Sequence, residues 1–354
     1  MITSILRSLV GRFNKLDVIQ FGLRGMLLPS KVKHLHGPIE IGGDANDVIV
    51  ISVMRNSEAW LKSFLFHHRR MGVRHFVIID NGSTDASVGL LSQQPDVTLL
   101  QTDAPYHAYE NTMKRYLAER FCSSRWCLCV DADERFDFPG SSRIGLTSLI
   151  NYLSSRGFNA VVTQMLDMFS DRPISDARID GDGELIEQYP FYDLSDIAKT
   201  PYQFGRVSNP AIMTHRGGIR KTVFGTNNGL SKVSLFLMDG KIKPFIAWHH
   251  ALHARLADIS CVLLHFPFTE SFGAKVAEAV RSGRYGYLTT DEYVSYLDGF
   301  QQRPRLTLKR DSAVRFARVD ELLGNGFLVA SDDYRRWVID HAERRSATTD
   351  VSPA

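Results

Sequence analysis

Trp126-Cys127-Leu128-Cys129-Val130-Asp131-Ala132-Asp133-Glu134 opens with five apolar residues and closes with three carboxylates in four positions. The apolar half reads as a strand buried on both faces. Carboxylates this close repel one another, so something positive must offset them. A divalent cation does so. Asp131 and Asp133 are two apart and can reach one ion where the chain leaves the strand, and hard carboxylate oxygens suit Mg2+ or Mn2+. Such ions keep positions open for substrate phosphates. A solvated acidic loop is the plainer alternative, and the motif alone does not separate the two.

Upstream, Val48-Ile49-Val50-Ile51-Ser52-Val53 is another continuous buried run. It passes into Met54-Arg55-Asn56-Ser57-Glu58, where Ser57 can cap a helix from Glu58 to Met71 that Gly72 ends. Phe76 to Ile79 is the next strand, followed at once by Asp80-Asn81-Gly82-Ser83-Thr84-Asp85 and a short helix through Leu91 that Thr84 or Asp85 can cap. Val97 to Leu100 is a third strand and Tyr109 to Phe121 a helix. The order β-α-β-α-β-α-β with short connections implies a parallel sheet covered by helices on both faces. Ligands bind such sheets at the carboxyl ends of the strands, where all three polar clusters fall.

Downstream, Leu146 to Leu153 reads as helix and Ala160 to Thr163 as strand, leading to Asp167. Residues 170–210 are rich in Asp, Pro, Gly and Ser and read as a long loop or lid. Val233 to Met238 and Lys243 to Ala247 read as strands about a turn at Asp239-Gly240, and Val262 to Phe266 is a further buried run. Ser271 to Arg281 is amphipathic, and 305–345 is helix-rich and charged. We divide the chain into an amphipathic or irregular extension (1–46), an α/β domain (47–290), a helical C-terminal extension (291–345) and a disordered tail (346–354).

Composition narrows the function. The 354 residues carry a net charge of only +3, which argues neither for nor against nucleic acid; there is no Lys/Arg block, and a nucleic-acid partner is not among the expected partners. Cys122, Cys127, Cys129 and Cys261 show no metal-ligand spacing. Reduced thiols in a cytoplasmic protein fit best, with Cys127 and Cys129 packed on one face of a strand. No apolar run approaches the ~20 residues needed to span a bilayer. In residues 1–28, Ile2, Ile5, Leu6, Leu9, Val10 and Phe13 recur at helical spacing with Arg7, Arg12 and Lys15 between them. Such a helix packs on its own domain or a partner, or lies on the inner face of the cell membrane as a peripheral contact. His67-His68-Arg69-Arg70 closes a helix and reads as a solvated face. His249, His250 and His253 read as a polar face or acceptor contact rather than a metal site.

Three segments in order, Val50 to Glu58, Ile78 to Asp85 and Val130 to Glu134, resemble the glycosyltransferase family 2-like proteins of GT-A fold. The nearest subgroup is the bacterial one that keeps Asp-x-Asp-Glu and a late Leu-Leu-His-Phe, here Leu263 to Phe266. Gly217-Gly218-Ile219-Arg220 and Leu230-Ser231-Lys232-Val233 add to the likeness, which covers about residues 47–285. It implies a mostly parallel α/β sheet and sugar transfer from a nucleotide-sugar donor, a UDP-sugar first, to a hydroxyl of a glycan or glycolipid acceptor, with inversion. It further implies Arg55, Asn56 and Glu58 near the nucleotide, Asp80 on the base or ribose, and Asn81, Ser83 and Asp85 shaping the turn beneath. Asp131 and Asp133 would hold Mn2+ or Mg2+, with His265 as another ligand. Relatives place Glu directly after Arg-Asn, whereas Ser57 intervenes here, so the side chain meeting the nucleotide is left open.

The chemistry agrees. A leaving diphosphate gathers negative charge that a bound cation stabilises, and the acceptor hydroxyl must lose a proton to a base. Asp167 is the first choice for that base and Glu134 the second. Lys221, Arg220 and Lys232 are either phosphate contacts or surface cations. A nucleotidyltransferase would open with a glycine-rich loop that Met54 to Glu58 lacks, and a non-catalytic sugar-nucleotide-binding protein is the remaining alternative.

Overall fold

The computed structural model describes residues 15–180, 184–247, 249–285 and 287–349. Its strands are β1 Lys33–His36, β2 Val48–Met54, β3 His75–Asp80, β4 Val97–Gln101, β5 Trp126–Cys129, β6 Glu134–Asp137, β7 Ala160–Asp167, β8 Phe191–Tyr192, β9 Ile197–Phe204, β10 Val207–Gly217, β11 Ser231–Leu237, β12 Lys243–Ala247, β13 His250–Leu252, β14 Leu256–His265 and β15 Val314–Arg315. The main helices are α1 Lys15–Leu27, α2 Glu58–Met71, α3 Ser87–Leu91, α4 Tyr106–Phe121, α5 Leu146–Ser155, α6 Ile219–Phe224, α7 Phe272–Ser282, α8 Tyr287–Gln302 and α9 Asp332–Thr349.

Nine strands form one sheet in the order β1-β4-β3-β2-β5-β11-β7-β14-β6. β4, β3, β2 and β5 are mutually parallel, as are β7 and β14. β11 lies antiparallel between β5 and β7, so both parallel groups point the same way. β1 and β6 run against their neighbours at the two edges. The sheet is thus mostly parallel with helices on both faces, as the β-α repeat implies.

The continuous apolar runs are explained by their alternation. In β2, Val48 and Val50 enter one core with Trp60, Leu61 and Phe64 of α2, while Ile49, Ile51 and Val53 enter the opposite core with Met113 and Leu117 of α4. Cys127 and Cys129 both enter the second core, and all four cysteines are free and buried. A third cluster joins Phe169, Ile219, Phe268, Phe272, Val276 and Tyr296, seating α7 and α8 beside the carboxyl ends of the strands.

Several expectations are corrected. Residues 170–210 are not a structureless loop. They hold β8, β9 and the start of β10, and β9 pairs antiparallel with β10 from Val207↔Phe204 to Gly217↔Ile197. Only Tyr202 of β9 is buried, so the hairpin shows little of the apolar alternation that marks a strand. β11 and β12 do not pair with each other; β12 pairs with β13. Ser57 does not cap α2 with its side chain. Asp85 does so from the neighbouring loop, accepting the Glu58 N–H at 3.1 Å. Gly72 ends α2 in the left-handed region at φ +99°, as expected.

His67 and His68 are not a solvated face. His68 is fully buried, and His67 meets the Phe136 carbonyl at 2.7 Å, burial pushing its pKa down to about 4. His250 lies on a strand, stacked on Phe204 at 4.3 Å. β1, from the stretch set apart as an extension, adds an edge strand to the sheet, and α9 continues to Thr349. The apolar and basic pattern of residues 1–14 and the tail 350–354 lie outside the described residues.

Candidate active site

Sheet direction explains why the site forms. β5, β7 and β14 end on one side of the sheet, and the antiparallel β11 and β6 begin there. Asp167 is the last residue of β7, His265 the last of β14, Lys232 the second of β11 and Glu134 the first of β6. The segment Val130 to Asp133 leaves β5 and enters β6, four strands further on, and so crosses the ends of the three strands between, β11, β7 and β14. The acidic motif is this crossing. Arg135, 3% exposed, ties it down by donating to the carbonyls of Ala132 (2.8 Å), Glu134 (2.9 Å) and Trp60 (3.1 Å). The Phe266 N–H donates to the Asp133 carbonyl at 2.8 Å.

Each acid has cationic partners. Asp131 lies between Lys114 Nζ at 3.4 Å and Lys232 Nζ at 3.6 Å. Burial opposes its charge, but the two ammonium groups hold its carboxyl well below the usual range. Asp133 faces Lys275 Nζ at 3.5 Å and His265 Nε2 at 3.7 Å. Burial works against its charge too, and the Lys275 ammonium leads in keeping the pKa low. Glu134, 1% exposed, accepts from Lys232 at 2.6 and 2.7 Å and from the Asp131 N–H at 2.9 Å. Burial pushes its pKa up while Lys232 pulls it down.

Asp167 is the most tightly held. It accepts from Arg220 Nε at 2.8 Å and Nη2 at 2.6 Å, and lies 2.6 Å from His265 Nδ1. Burial disfavours its charge, yet Arg220 and His265 bring its carboxyl down to about 2. Arg220 is delivered by Gly217 and Gly218, both at positive φ (+92° and +69°). A Cβ on Gly217 would sit 2.5 Å from the Asp196 carbonyl oxygen, so that turn requires glycine. Arg220 also reaches Glu292 of α8 at 3.5 Å.

The sequence-derived nucleotide residues form a second, interlocked cluster at the ends of β2 and β3. Asp80, 1% exposed, accepts from the Gly82 and Ser83 N–H groups and from Gln101 Nε2 at 3.1 Å. Ser83 Oγ accepts the Asn56 N–H at 2.9 Å, and Asn56 Oδ1 accepts the Thr84 N–H at 2.8 Å. Glu58 accepts the Ala86 N–H at 3.1 Å while Asp85 accepts that of Glu58. These side chains brace two loops against each other. Asn81 donates to the carbonyls of Thr102 and Ala104 at 3.0 Å and accepts from Arg284 at 3.0 Å. Arg284 also covers the Tyr106 ring at 4.8 Å. Arg55 pairs with Glu278 at 3.5 Å, but its Nε is buried without a hydrogen-bond partner among the described residues.

Among the described residues, no three His, Cys, Asp or Glu side chains form a preassembled metal centre. The donor chemistry nevertheless fits a divalent cation. Nδ1 of His265 lies 2.6 Å from an Asp167 carboxylate oxygen and 3.0 Å from Arg220 Nη2, and its Nε2 is turned toward Asp133 at 3.7 Å. A carboxylate behind a histidine is how proteins orient an imidazole ligand. Asp133 and His265 are thus brought together, whereas Asp131 is held by lysines.

Sequence reasoning missed Lys114 and Lys275. A signal existed. Lys114 falls on the stripe 114-117-118-121 of α4, and Lys275 lies between Phe272 and Ala279 at the edge of the buried face of α7, its side chain 39% exposed. A lysine on an apolar stripe needs an acid to meet. Of the three cations left open between phosphate contact and surface, Lys221 is exposed, while Arg220 and Lys232 are in the site.

No family model and no curated protein sequence matches the chain. Among solved structures, S. aureus TarS has 14% identity and a TM-score of 0.27, covering 42% of this chain. The chain spans only 30% of the length of TarS. The mannosyltransferase PcManGT from Pyrobaculum calidifontis, solved with GDP-Man and Mn2+, has 13% identity and a TM-score of 0.28, covering 99% of this chain and 98% of its own. Likenesses this weak add nothing to what the residues themselves carry.

Proposed function

We propose that the protein is a metal-dependent glycosyltransferase that moves a sugar from a nucleotide-sugar donor to a hydroxyl of a glycan or glycolipid acceptor, by single displacement with inversion. One observation carries this reading: four acids, a histidine, three lysines and an arginine converge where the parallel strands end, which is where open sheets bind ligands. Asp131, Asp133 and His265 would hold Mn2+ or Mg2+. When bound, that ion supplies Lewis-acid stabilisation of the departing diphosphate.

Arg55, with its unpartnered Nε, and Asn81 would face the nucleotide, while Asn56, Glu58, Asp80, Ser83 and Asp85 keep the two loops in register for it. Asp167 orients His265. Both carboxylates considered for the acceptor proton are held by cations, Asp167 by Arg220 and Glu134 by Lys232, so either acts only once its partner turns to substrate. Transfer assays on Asp167→Asn and Glu134→Gln assign the role. The stretch 1–28, of whose described part Leu23, Met26 and Leu27 are exposed, would keep the enzyme at a membrane carrying a glycolipid acceptor. The reading is tested by melting the protein with UDP-, GDP- and other sugar nucleotides, each with Mn2+. A metal-dependent rise in Tm with one of them supports it, and no rise with any refutes it.

A further inference from the structure

Asp131 Oδ1 lies 3.4 Å from Lys114 Nζ, and Asp131 Oδ2 lies 3.6 Å from Lys232 Nζ. The lysines come from α4 and β11, and their side chains are only 10% and 12% exposed. A third, Lys275 of α7, meets Asp133. Lysines are seldom buried unless paired, and two buried lysines from separate elements, with Lys275 at 39% side-chain exposure beside them, aimed at one acidic crossing make a built feature. Lys114 also has Glu110 at 2.9 Å and Lys232 has Glu134, so each ammonium can leave Asp131 without losing its last partner. A cation at Asp131 and these ammonium groups need the same carboxylate oxygens, and like charges there repel.

We propose that Lys114 and Lys232 are internal counterions of Asp131 that exchange onto the donor diphosphate. Without a donor they occupy the carboxylate and weaken metal binding. With a diphosphate present the ammonium groups turn to its oxygens and leave Asp131 to the metal. The compact, rotatable charge of lysine suits such a move between acceptors, where a guanidinium fork would not. The inference rests on the glycosyltransferase reading for the identity of the anion, and it makes metal and nucleoside diphosphate bind with positive coupling.

The test uses the full chain and two probes separately. Free Mn2+ is followed by electron paramagnetic resonance without nucleotide, and UDP and GDP are titrated without metal. Lys114→Met should bind Mn2+ about tenfold more tightly than wild type and the preferred nucleoside diphosphate about tenfold more weakly. Lys114→Arg, which keeps the charge, should keep Mn2+ binding weak. Lys232→Met, acting on the other oxygen of Asp131 from β11, should also tighten Mn2+ and serves if Lys114→Met does not fold. Equal or weaker Mn2+ binding by both methionine variants overturns the proposal. Tighter Mn2+ with unchanged nucleotide binding overturns the exchange onto diphosphate. If wild type binds neither UDP nor GDP, with or without Mn2+, the glycosyltransferase reading fails, while the Mn2+ arm still decides whether the lysines compete with metal.

Discussion

Replacing Asp167 by Asn tests whether this carboxylate is an anchor of the folded site. It is 6% exposed and engaged by Arg220 and His265 at 2.6–2.8 Å. Those partners hold its pKa at about 2 against an ordinary 3.8. That depression alone corresponds to about 2 kcal/mol of native-state stability at neutral pH. Breaking a buried ion pair costs about 3–5 kcal/mol when a charge is stranded. Asn keeps one acceptor oxygen, and Arg220 keeps Glu292. We therefore expect Asp167→Asn to lose about 2–3 kcal/mol at pH 7 by urea denaturation. The sign with pH follows from a folded pKa lying below the unfolded one. The wild-type advantage is fully present above the unfolded value near 4 and fades as pH falls toward 2. At pH 3 about 1 kcal/mol of it should be gone. A loss under about 0.5 kcal/mol at pH 7, or one unchanged between pH 7 and pH 3, would refute the anchoring role.

Asp137 makes the opposite prediction. Burial raises its carboxyl to about 6, so its charge works against the fold as pH rises through the range from 4 to 6. Asp137→Asn should raise stability at pH 7 by about 1 kcal/mol, with the gain vanishing below pH 4, and denaturation at the two pH values checks it. At the other end of the chain, Leu23, Met26 and Leu27 are 50%, 72% and 52% exposed beside exposed Lys31 and Lys33. Co-sedimentation with vesicles containing phosphatidylglycerol should capture the wild type, and Met26→Glu with Leu27→Glu should release it. No capture of the wild type, or capture of the double variant equal to it, would remove the membrane contact.

Much of this was legible from residues. β2, β3, β4 and β5 are marked by uninterrupted apolar runs because both faces of a central parallel strand are covered. The site's acids could be read because strand ends bind ligands. What could not be read is pairing at a distance. Arg220 and Lys232 were in view without their partners, because Asp167 lies 53 positions before Arg220 and Glu134 lies 98 before Lys232. Lys114 and Lys275 hide in ordinary helical sequence, and only the fold turns them to the acidic crossing. The second cluster was correctly seen as a set of polar strand ends. That Asp80, Asn56 and Asp85 spend their hydrogen bonds on each other's loops depends on β2 and β3 being neighbours, which sequence order alone does not state. The β9–β10 hairpin escaped because exposed strands carry little apolar alternation.

The most direct measurement is calorimetric titration of UDP and GDP into wild type and Asp133→Ala, with and without Mn2+. Heat of binding for one nucleotide that requires Mn2+, and is lost in Asp133→Ala, is the predicted result. Equal binding with and without metal, or binding that survives Asp133→Ala unchanged, would contradict a metal–diphosphate site on the acidic crossing.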